Sequence, residues 1–281
     1  MLSRLSYQES GWPCFDTILR ADRDALRARY ETAAPFPHLV LDGLFPPDCL
    51  RSMVEAFEAT PTVSWRELQS GLQRRRATVP GSPLPPRVQE YFNILNSGPF
   101  TRFLSDITGI GDLIPDPALY GGGMHEVEEG GAFEVHIDFE RHPRTFLNNR
   151  LVVITYLNDN WTEADGGNLE LWYLKPRQCG ATVAPIFGRT VIVGQSPSAA
   201  HGHLQPIRKG RRRRSVTAYF YTNGLTRTIA TDALPTVYIA HKGHSLGQSA
   251  ELFLRLIVPP FILTGAKTLR NTAEKAWTRS R

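Results

Sequence analysis

Apolar and polar positions change their spacing near residue 118. Before this point apolar residues recur at helical spacing, most clearly over 87–107, where Ser97-Gly98-Pro99 separates two predicted helices. Beyond it, short alternating runs lie between Gly, Asn and Asp turns up to about residue 223. These runs are FEVHIDF, RLVVITYLN, GNLELWYL, TVAPIFG, RTVIVG and RRSVTAYFYT. Several short strands at roughly even spacing predict an all-β sandwich or barrel.

The region before residue 116 carries further predicted elements. A helical patch covers 20–32, and the alternating run 38–45 predicts a strand. The prolines and the aspartate that follow suit a first helical turn, so we expect a helix over 46–58. Residues 60–88 are polar and rich in Arg and Pro, and we interpret them as a long loop with little regular structure, a candidate lid.

These elements predict one domain of α+β type over 1–281. Its N-terminal part, 1–115, is expected to be a mainly helical support, and its core is the β region 118–223. A C-terminal extension over 224–281 follows and ends in a predicted short basic helix.

Composition and charge limit the expected location and partners of the protein. The sequence has no run of about 18 apolar residues and no apolar stretch near its start, so we expect no membrane partner and no secretory signal. The three cysteines lie far apart without a CxxC pattern, which fits a cytoplasmic protein. The net charge of +5 is concentrated in the run RKGRRRR at 208–214 and in the C-terminal tail. Such a run forms a solvated edge or binds nucleic acid, and one of its arginines is expected to point inward.

A candidate metal site begins with the motif His136-Ile137-Asp138. Residues two apart on a strand project to the same face, so His136 and Asp138 present an imidazole and a carboxylate side by side. These are two of the three ligands of a 2-His-1-carboxylate site, which leaves positions open on iron(II). Alone the motif is weak evidence, because a strand histidine also serves as a hydrogen-bonded core residue.

The third ligand is expected from a later strand that lies close in space. His201 and His203 follow the predicted strand VIVG and a turn, and either could complete the site. The other five histidines are weaker candidates, because they lie in predicted loops or outside the β core: His125, His142, His38, His241 and His244.

A candidate anion site lies on the last predicted strand. If RRSVTAYFYT alternates regularly, one face carries Arg213, Ser215, Thr217 and Tyr219. An arginine that faces a barrel core needs a partner, and a planar guanidinium beside hydroxyl groups suits a carboxylate. A slip of one residue would exchange the two faces, and the whole run would then form an exposed basic edge.

The order of these pieces resembles the 2-oxoglutarate and iron(II)-dependent oxygenases, and most closely their prolyl-4-hydroxylase-like branch. The pieces are GGAFEVHIDF, ITYLNDNW, DGGNLELW, SAAHGHLQPI and RRRSVTAYFYT, which together cover about 118–223. The entry segment PFPHLVLDGLFPPDCL is also similar to the start of many such enzymes. The resemblance implies a double-stranded β-helix, a jelly-roll or cupin-like barrel, with iron near one open end.

The resemblance also implies roles for individual residues. It assigns the iron ligands to His136, Asp138 and His201, with His203 as second choice. It assigns the far carboxylate of 2-oxoglutarate to Arg213, with Arg211 and Arg212 as alternatives within the same run. The hydroxyl partners that it implies are Tyr156, Thr217 and Ser215. One departure concerns the tyrosine that many relatives carry about ten residues before the iron motif, because here Glu126 lies near that place.

The implied activity is oxidative decarboxylation of 2-oxoglutarate to succinate and CO₂, coupled to hydroxylation of an unactivated C–H bond. The cofactors would be Fe(II) and 2-oxoglutarate, with ascorbate as a further candidate, and the partners dioxygen and a small-molecule or prolyl or other peptidyl substrate. Asp138 favours hydroxylation over halogenation, because the related halogenases lack this carboxylate. Two alternatives are a nucleic-acid demethylase, against which no stacking aromatics accompany the basic run, and a non-enzymatic acid-binding barrel or sensor.

Overall fold

The computed structural model describes residues 21–224, 237–238, 245, 247, 248 and 250. Its α-helices are α1 (Arg23–Thr32), α2 (Pro47–Ala59), α3 (Pro86–Leu95) and α4 (Gly98–Thr108). Its strands are β1 (His38–Asp42), β2 (Trp65–Gln69), β3 (Arg74–Thr78), β4 (Ile114–Pro115), β5 (Gly123–Val127), β6 (Phe133–Ile137), β7 (Asn148–Tyr156), β8 (Leu169–Leu174), β9 (Arg177–Val183), β10 (Arg189–Gly194), β11 (Ala200–His203), β12 (Arg213–Thr222) and β13 (Val237–Tyr238).

The strands form two antiparallel sheets. The larger sheet has the order β1-β10-β7-β12-β5-β3-β2, with β4 beside β12, and the smaller has the order β13-β6-β11-β8-β9. Strands distant in sequence are therefore neighbours, as β6 and β11 are in the smaller sheet. This arrangement confirms the predicted double-stranded β-helix with helices beside it.

The helices pack against the outer face of the larger sheet. One core cluster joins apolar residues of α2, α3 and α4 to Val216, Ala218 and Phe220 of β12. The ring of Phe220 lies 6.3 Å from that of Phe100 on α4, and both side chains are fully buried. The helices cover the outer face of β12, and the other face of this strand is therefore directed to the interior of the barrel. No helix in the described ranges is both long enough and apolar enough to span a bilayer.

The predicted helices of the N-terminal part are confirmed. Asp22 caps α1 by accepting a hydrogen bond from the Ala25 backbone, and Ser97 caps α4 in the same way through Phe100. Helix α4 ends at Gly109, whose φ of 72° is the left-handed conformation that glycine adopts at little cost. The break between α3 and α4 therefore falls at the predicted Ser-Gly-Pro.

The prediction of an irregular loop over 60–88 is wrong. This region contains the hairpin β2–β3, and β3 pairs with β5, so the hairpin extends the larger sheet. The strand RRRAT was missed because its arginines hide the alternation of faces. Arg75 faces the barrel interior, whereas Arg76 pairs with the buried carboxylate of Glu126 on the other side.

Two smaller corrections follow from the sheet. His125, expected in a loop, lies in the middle of β5 and pairs in register with Ser215. The run TVAPIFG is a strand only up to Val183, because Pro185 lacks the N–H that a central strand would need. The predicted basic helix near the C-terminus lies outside the described residues.

Candidate functional site

The two histidines of the predicted metal site meet because of strand register. His201 on β11 is the direct cross-strand partner of His136 on β6. Their ring centroids lie 4.6 Å apart, and both side chains are buried. Gly202 permits this approach, since a Cβ there would lie 2.8 Å from the backbone oxygen of Phe133. Residues 65 positions apart in sequence are thus held side by side by the smaller sheet.

Both imidazoles are oriented by the backbone. The Nδ1 of His136 lies 2.8 Å from the carbonyl oxygen of Glu134, and the Nδ1 of His201 lies 3.0 Å from that of Ala199. Because a carbonyl only accepts, each Nδ1 carries the proton and donates it. With Nδ1 as the donor, it is Nε2 of each ring that is directed to the metal group and can offer a lone pair, as a metal ligand requires.

Asp138 completes the group from the end of β6. Its Oδ1 lies 3.5 Å from Nε2 of His136, and its Oδ2 lies 3.6 Å from Nε2 of His201. One ligand atom from each of the three residues lies within 4.8 Å of the others. Burial raises the pKa of Asp138, but His201, His136 and the hydroxyl of Tyr219 outweigh it, and the net pKa is lowered. The carboxylate is therefore ionised and ready to bind a cation.

Arg213 is a buried cation near the start of β12. It is 7% exposed, its Nε donates to the Gly167 carbonyl at 2.7 Å, and its NH2 donates to the Tyr156 hydroxyl at 3.2 Å. Burial lowers the pKa of this guanidinium, and Tyr156 opposes the shift. Within the described ranges Arg213 takes part in no ion pair. A buried charge without a counter-ion costs several kcal/mol, so Arg213 is suited to bind an anionic ligand.

A cavity of about 70 Å³ joins the metal group to Arg213. The predicted inner face of β12 lines it, through Arg213, Ser215, Thr217 and Tyr219. The register proposed from alternation is therefore confirmed. The two alternatives within the basic run lie elsewhere, since Arg211 contacts Asp165 and Arg212 contacts Glu58.

The cavity wall also contains Arg75 and His125, which were not expected there, and His203, the second choice for the third ligand. Arg75 lies 4.4 Å above the Phe133 ring and donates through NH1 to Nδ1 of His125 at 3.0 Å. His203 lines the cavity next to the metal group, and its Nδ1 has no hydrogen-bond partner among the described residues. Burial and the nearby Arg213 and Arg75 hold the pKa of His203 well below its usual value, so it is neutral.

The departure noted at Glu126 has a structural explanation. Glu126 points away from the cavity, is fully buried, and binds Arg76 at 2.5 Å and Arg214 at 2.7 Å. The cavity-facing residue of this strand is its neighbour His125. Strand alternation could have found His125, had 123–127 been recognised as a strand.

The residues fit a divalent metal and a small dicarboxylate. Two neutral imidazoles and one carboxylate are the donor set of non-haem iron(II) sites that keep positions open. The guanidinium of Arg213, which has no counter-ion among the described residues, lines the same cavity and suits an acid group of a ligand. The fold and this site define a non-haem iron oxygenase.

Comparison with known proteins finds a family model that matches the β core. Residues 122–221 match the model of the 2OG-Fe(II) oxygenase superfamily. The matched segment contains the triad His136, Asp138 and His201, and the match and the triad together indicate a 2-oxoglutarate-dependent dioxygenase. Family and triad together imply Fe(II) and 2-oxoglutarate as cofactors. No curated protein matches the chain.

Solved structures show the same fold. A prolyl-4-hydroxylase from Pseudomonas putida is 17% identical with a TM-score of 0.51, and the match covers 72% of this chain and 100% of that one. A prolyl hydroxylase from Trichoplax adhaerens, in complex with a hypoxia inducible factor oxygen degradation domain peptide fragment, is 14% identical with a TM-score of 0.53, covering 77% and 93%. A 2OG-Fe(II) oxygenase family oxidoreductase from Burkholderia pseudomallei is 13% identical with a TM-score of 0.51, covering 73% and 93%.

Proposed function

We propose that this dioxygenase hydroxylates an unactivated C–H bond of a small molecule or of a prolyl or other peptidyl side chain. In this proposal Arg213 binds the far carboxylate of 2-oxoglutarate, assisted by the hydroxyl groups of Tyr156, Ser215 and Thr217. The observation that carries it is the buried guanidinium without a counter-ion, in the same cavity as a buried group of two histidines and an aspartate.

The contacts of Arg213 support its role as the anchor. The Gly167 carbonyl and the Tyr156 hydroxyl fix the guanidinium without neutralising it. Gly167 allows this contact, because a Cβ there would lie 2.8 Å from Cδ of Arg213. A held, uncompensated cation loses little entropy when a carboxylate binds, and a charge-assisted pair forms.

The protein's own contribution is to orient and shelter the ligands. The backbone carbonyls that hold His136 and His201 fix which nitrogen faces the metal. The apolar side chains of Val152, Ile154 and Leu169 line the same cavity and limit the access of water. The bound iron supplies the oxidative chemistry that turns 2-oxoglutarate into succinate and CO₂ and adds one oxygen to the substrate.

Substrate choice is supported only at the level of class. The solved structures with the same fold include prolyl hydroxylases, one of them with a peptide bound. These likenesses favour testing peptidyl proline alongside small molecules. Asp138, as the carboxylate of the metal group, favours hydroxylation over halogenation.

The basic run gives little support to a nucleic-acid substrate. Arg214 pairs with Glu126 and Glu58, and Arg212 also lies beside Glu58. Arg208 and Arg211 pair with Asp165, at 2.9 and 3.3 Å. These carboxylates neutralise much of the positive charge that would attract phosphates.

We also propose that 1–281 folds as one domain, with 1–115 as support, 118–223 as core and 224–281 as extension. Supporting this, β1 pairs with β10, and the hairpin β2–β3 pairs with β5. The N-terminal region thus adds the four strands β1 to β4 to the larger sheet as well as helices.

The test measures succinate release with Fe(II), 2-oxoglutarate and pools of peptides and small molecules, together with mass spectrometry for substrates that gain one oxygen. We expect Asp138→Ala and His201→Ala to reduce substrate-dependent succinate to background. Arg213→Leu should raise the KM for 2-oxoglutarate by roughly 30-fold or more, because truncating a buried charge partner costs about 2–5 kcal/mol.

Arg212→Leu is the matched control, because it removes an arginine of the same run that lies outside the cavity. An equal KM in the Arg213→Leu and Arg212→Leu variants would remove Arg213 from the anchor role. Binding of 2-oxoglutarate without any succinate or oxygenated product, across pools and with added DNA or RNA, would favour a sensor.

A further inference from the structure

Tyr219 contacts the carboxylate of the metal group directly. Its hydroxyl donates to Oδ2 of Asp138 at 3.0 Å. Tyr219 is 8% exposed, the Asp138 side chain is 7% exposed, and both line the cavity. A hydrogen bond to a charged group in such a sheltered place is stronger than one in water.

The position of the tyrosine is set by β12. Tyr219 lies six residues beyond Arg213 on the same face of the strand and is the cross-strand partner of Val152. Its ring packs 5.1 Å from the ring of Phe139, which follows Asp138 in sequence. One strand therefore carries both the proposed anchor of the cosubstrate and the partner of a metal ligand.

The two oxygens of Asp138 have different surroundings. Oδ2 receives the hydroxyl of Tyr219 and lies 3.6 Å from Nε2 of His201. Oδ1 lies 3.5 Å from Nε2 of His136, and no tyrosine hydroxyl contacts it within the described part of the chain. A carboxylate that is held through one oxygen offers the other to a metal.

We propose that Tyr219 is a positioning residue that holds Asp138 through Oδ2, so that Asp138 binds the metal through Oδ1 alone. The inference rests on the metal site of the proposed function. Single-oxygen binding matters because a 2-His-1-carboxylate site needs its remaining positions for cosubstrate and dioxygen. Without the hydroxyl, Oδ2 is free to turn toward the metal and take one of those positions.

Tyr221 provides a matched control two residues further on. It lies on the same strand, is buried, and packs 6.5 Å from the ring of Phe139. Its hydroxyl has no hydrogen-bond partner among the described residues. Tyr221→Phe therefore removes the same atom from the same strand without touching Asp138.

The experiment measures the dissociation constant and the absorption spectrum of Co(II) bound to the wild type, Tyr219→Phe and Tyr221→Phe. We expect Tyr219→Phe to bind Co(II) about 10- to 100-fold more weakly, the usual effect of losing an outer partner of a ligand, and to show an altered spectrum. Tyr221→Phe should match the wild type in both.

Two further measurements separate positioning from a general loss of structure. In an Asp138→Ala background, Tyr219→Phe should have no additional effect on Co(II) binding, because it acts through that carboxylate. Urea unfolding of the metal-free variants reports any purely structural role. The inference is overturned if Tyr219→Phe keeps the wild-type constant and spectrum, or if it weakens binding equally with and without Asp138. A wild type that binds no metal would instead overturn the proposed site itself.

Discussion

The two faces of β12 differ in what their side chains contact. The outer face packs Val216, Ala218 and Phe220 into the core beneath the helices. The inner face places Arg213, Ser215, Thr217 and Tyr219 around a cavity. Both faces are buried, but the inner one lines a cavity with charged and hydroxyl groups.

Two adjacent arginines of this strand, Arg213 and Arg214, differ in their partners. Arg214, on the outer face, binds two carboxylates of the protein, Glu126 and Glu58. Arg213, on the inner face, binds a carbonyl and a hydroxyl but no carboxylate among the described residues. Arg214 is neutralised by carboxylates of the protein, whereas the charge of Arg213 is left uncompensated and is the one that we propose binds 2-oxoglutarate. Substitutions on the two faces should therefore change the free energy of unfolding and the binding of 2-oxoglutarate in different ways.

The largest effect is expected from Phe220→Ala on the outer face. Removing a fully buried ring that packs against Phe100 should lower the free energy of unfolding by about 3–5 kcal/mol. Urea denaturation measures the loss, and the KM for 2-oxoglutarate of the folded fraction should stay at the wild-type value. A large rise in that KM would show that the two faces are not independent.

Glu126→Gln should be the next most damaging change. It leaves Arg76 and Arg214 without their buried carboxylate, and we expect a loss of about 2–3 kcal/mol in the free energy of unfolding. The value is below that of a fully buried pair because both guanidiniums keep some contact with water. Glu58→Gln is the control, since that side chain is 65% exposed and should cost at most about 1 kcal/mol.

Arg213→Leu should act in the opposite direction. Without 2-oxoglutarate, removing a buried charge that lacks a counter-ion should raise the free energy of unfolding by about 1–2 kcal/mol. The stabilisation that 2-oxoglutarate gives the wild type, about 2.7 kcal/mol at a concentration of 100 Kd, should fall to about 0.9 kcal/mol or less in the variant at the same concentration. Destabilisation of the ligand-free variant would mean that the hydrogen bonds of Arg213 to Gly167 and Tyr156 outweigh the cost of burying its charge.

The last expected effect is on the pH dependence of stability and concerns His125 at the cavity wall. Burial, and next the charge of Arg75, lower the pKa of His125 from 6.5 to about 3. The neutral form is favoured in the folded state, so its stability contribution is complete above pH 6.5 and is lost as pH falls toward 3. His125 can therefore change the free energy of unfolding by at most about 1.4 kcal/mol per pH unit.

His125→Gln should flatten that slope for the metal-free protein between pH 6.5 and 4.5. The amide can still accept from Arg75 and donate to the Gly122 carbonyl, the two partners of the imidazole. Parallel pH profiles of the wild type and the variant would show that His125 does not titrate between the folded and unfolded states in this range.

The sequence predicted those parts of the site that follow from alternation or from ordered motifs. Strand parity put Arg213 and Thr217 on one face without deciding that this face is the inner one, and the spacing of His136 and Asp138 put both on one side of β6. Arg75 was missed because three successive arginines mask the two faces of β3. The meeting of His201 with His136 depends on register between strands distant in sequence, which the residues alone did not fix.

Calorimetric titration of 2-oxoglutarate into the metal-loaded protein tests the central claim most directly. The inner face of β12 is predicted to bind one 2-oxoglutarate per chain in the wild type and in Arg212→Leu, and to bind it roughly 30-fold or more weakly in Arg213→Leu. Equal affinity in the wild type and Arg213→Leu would contradict the account.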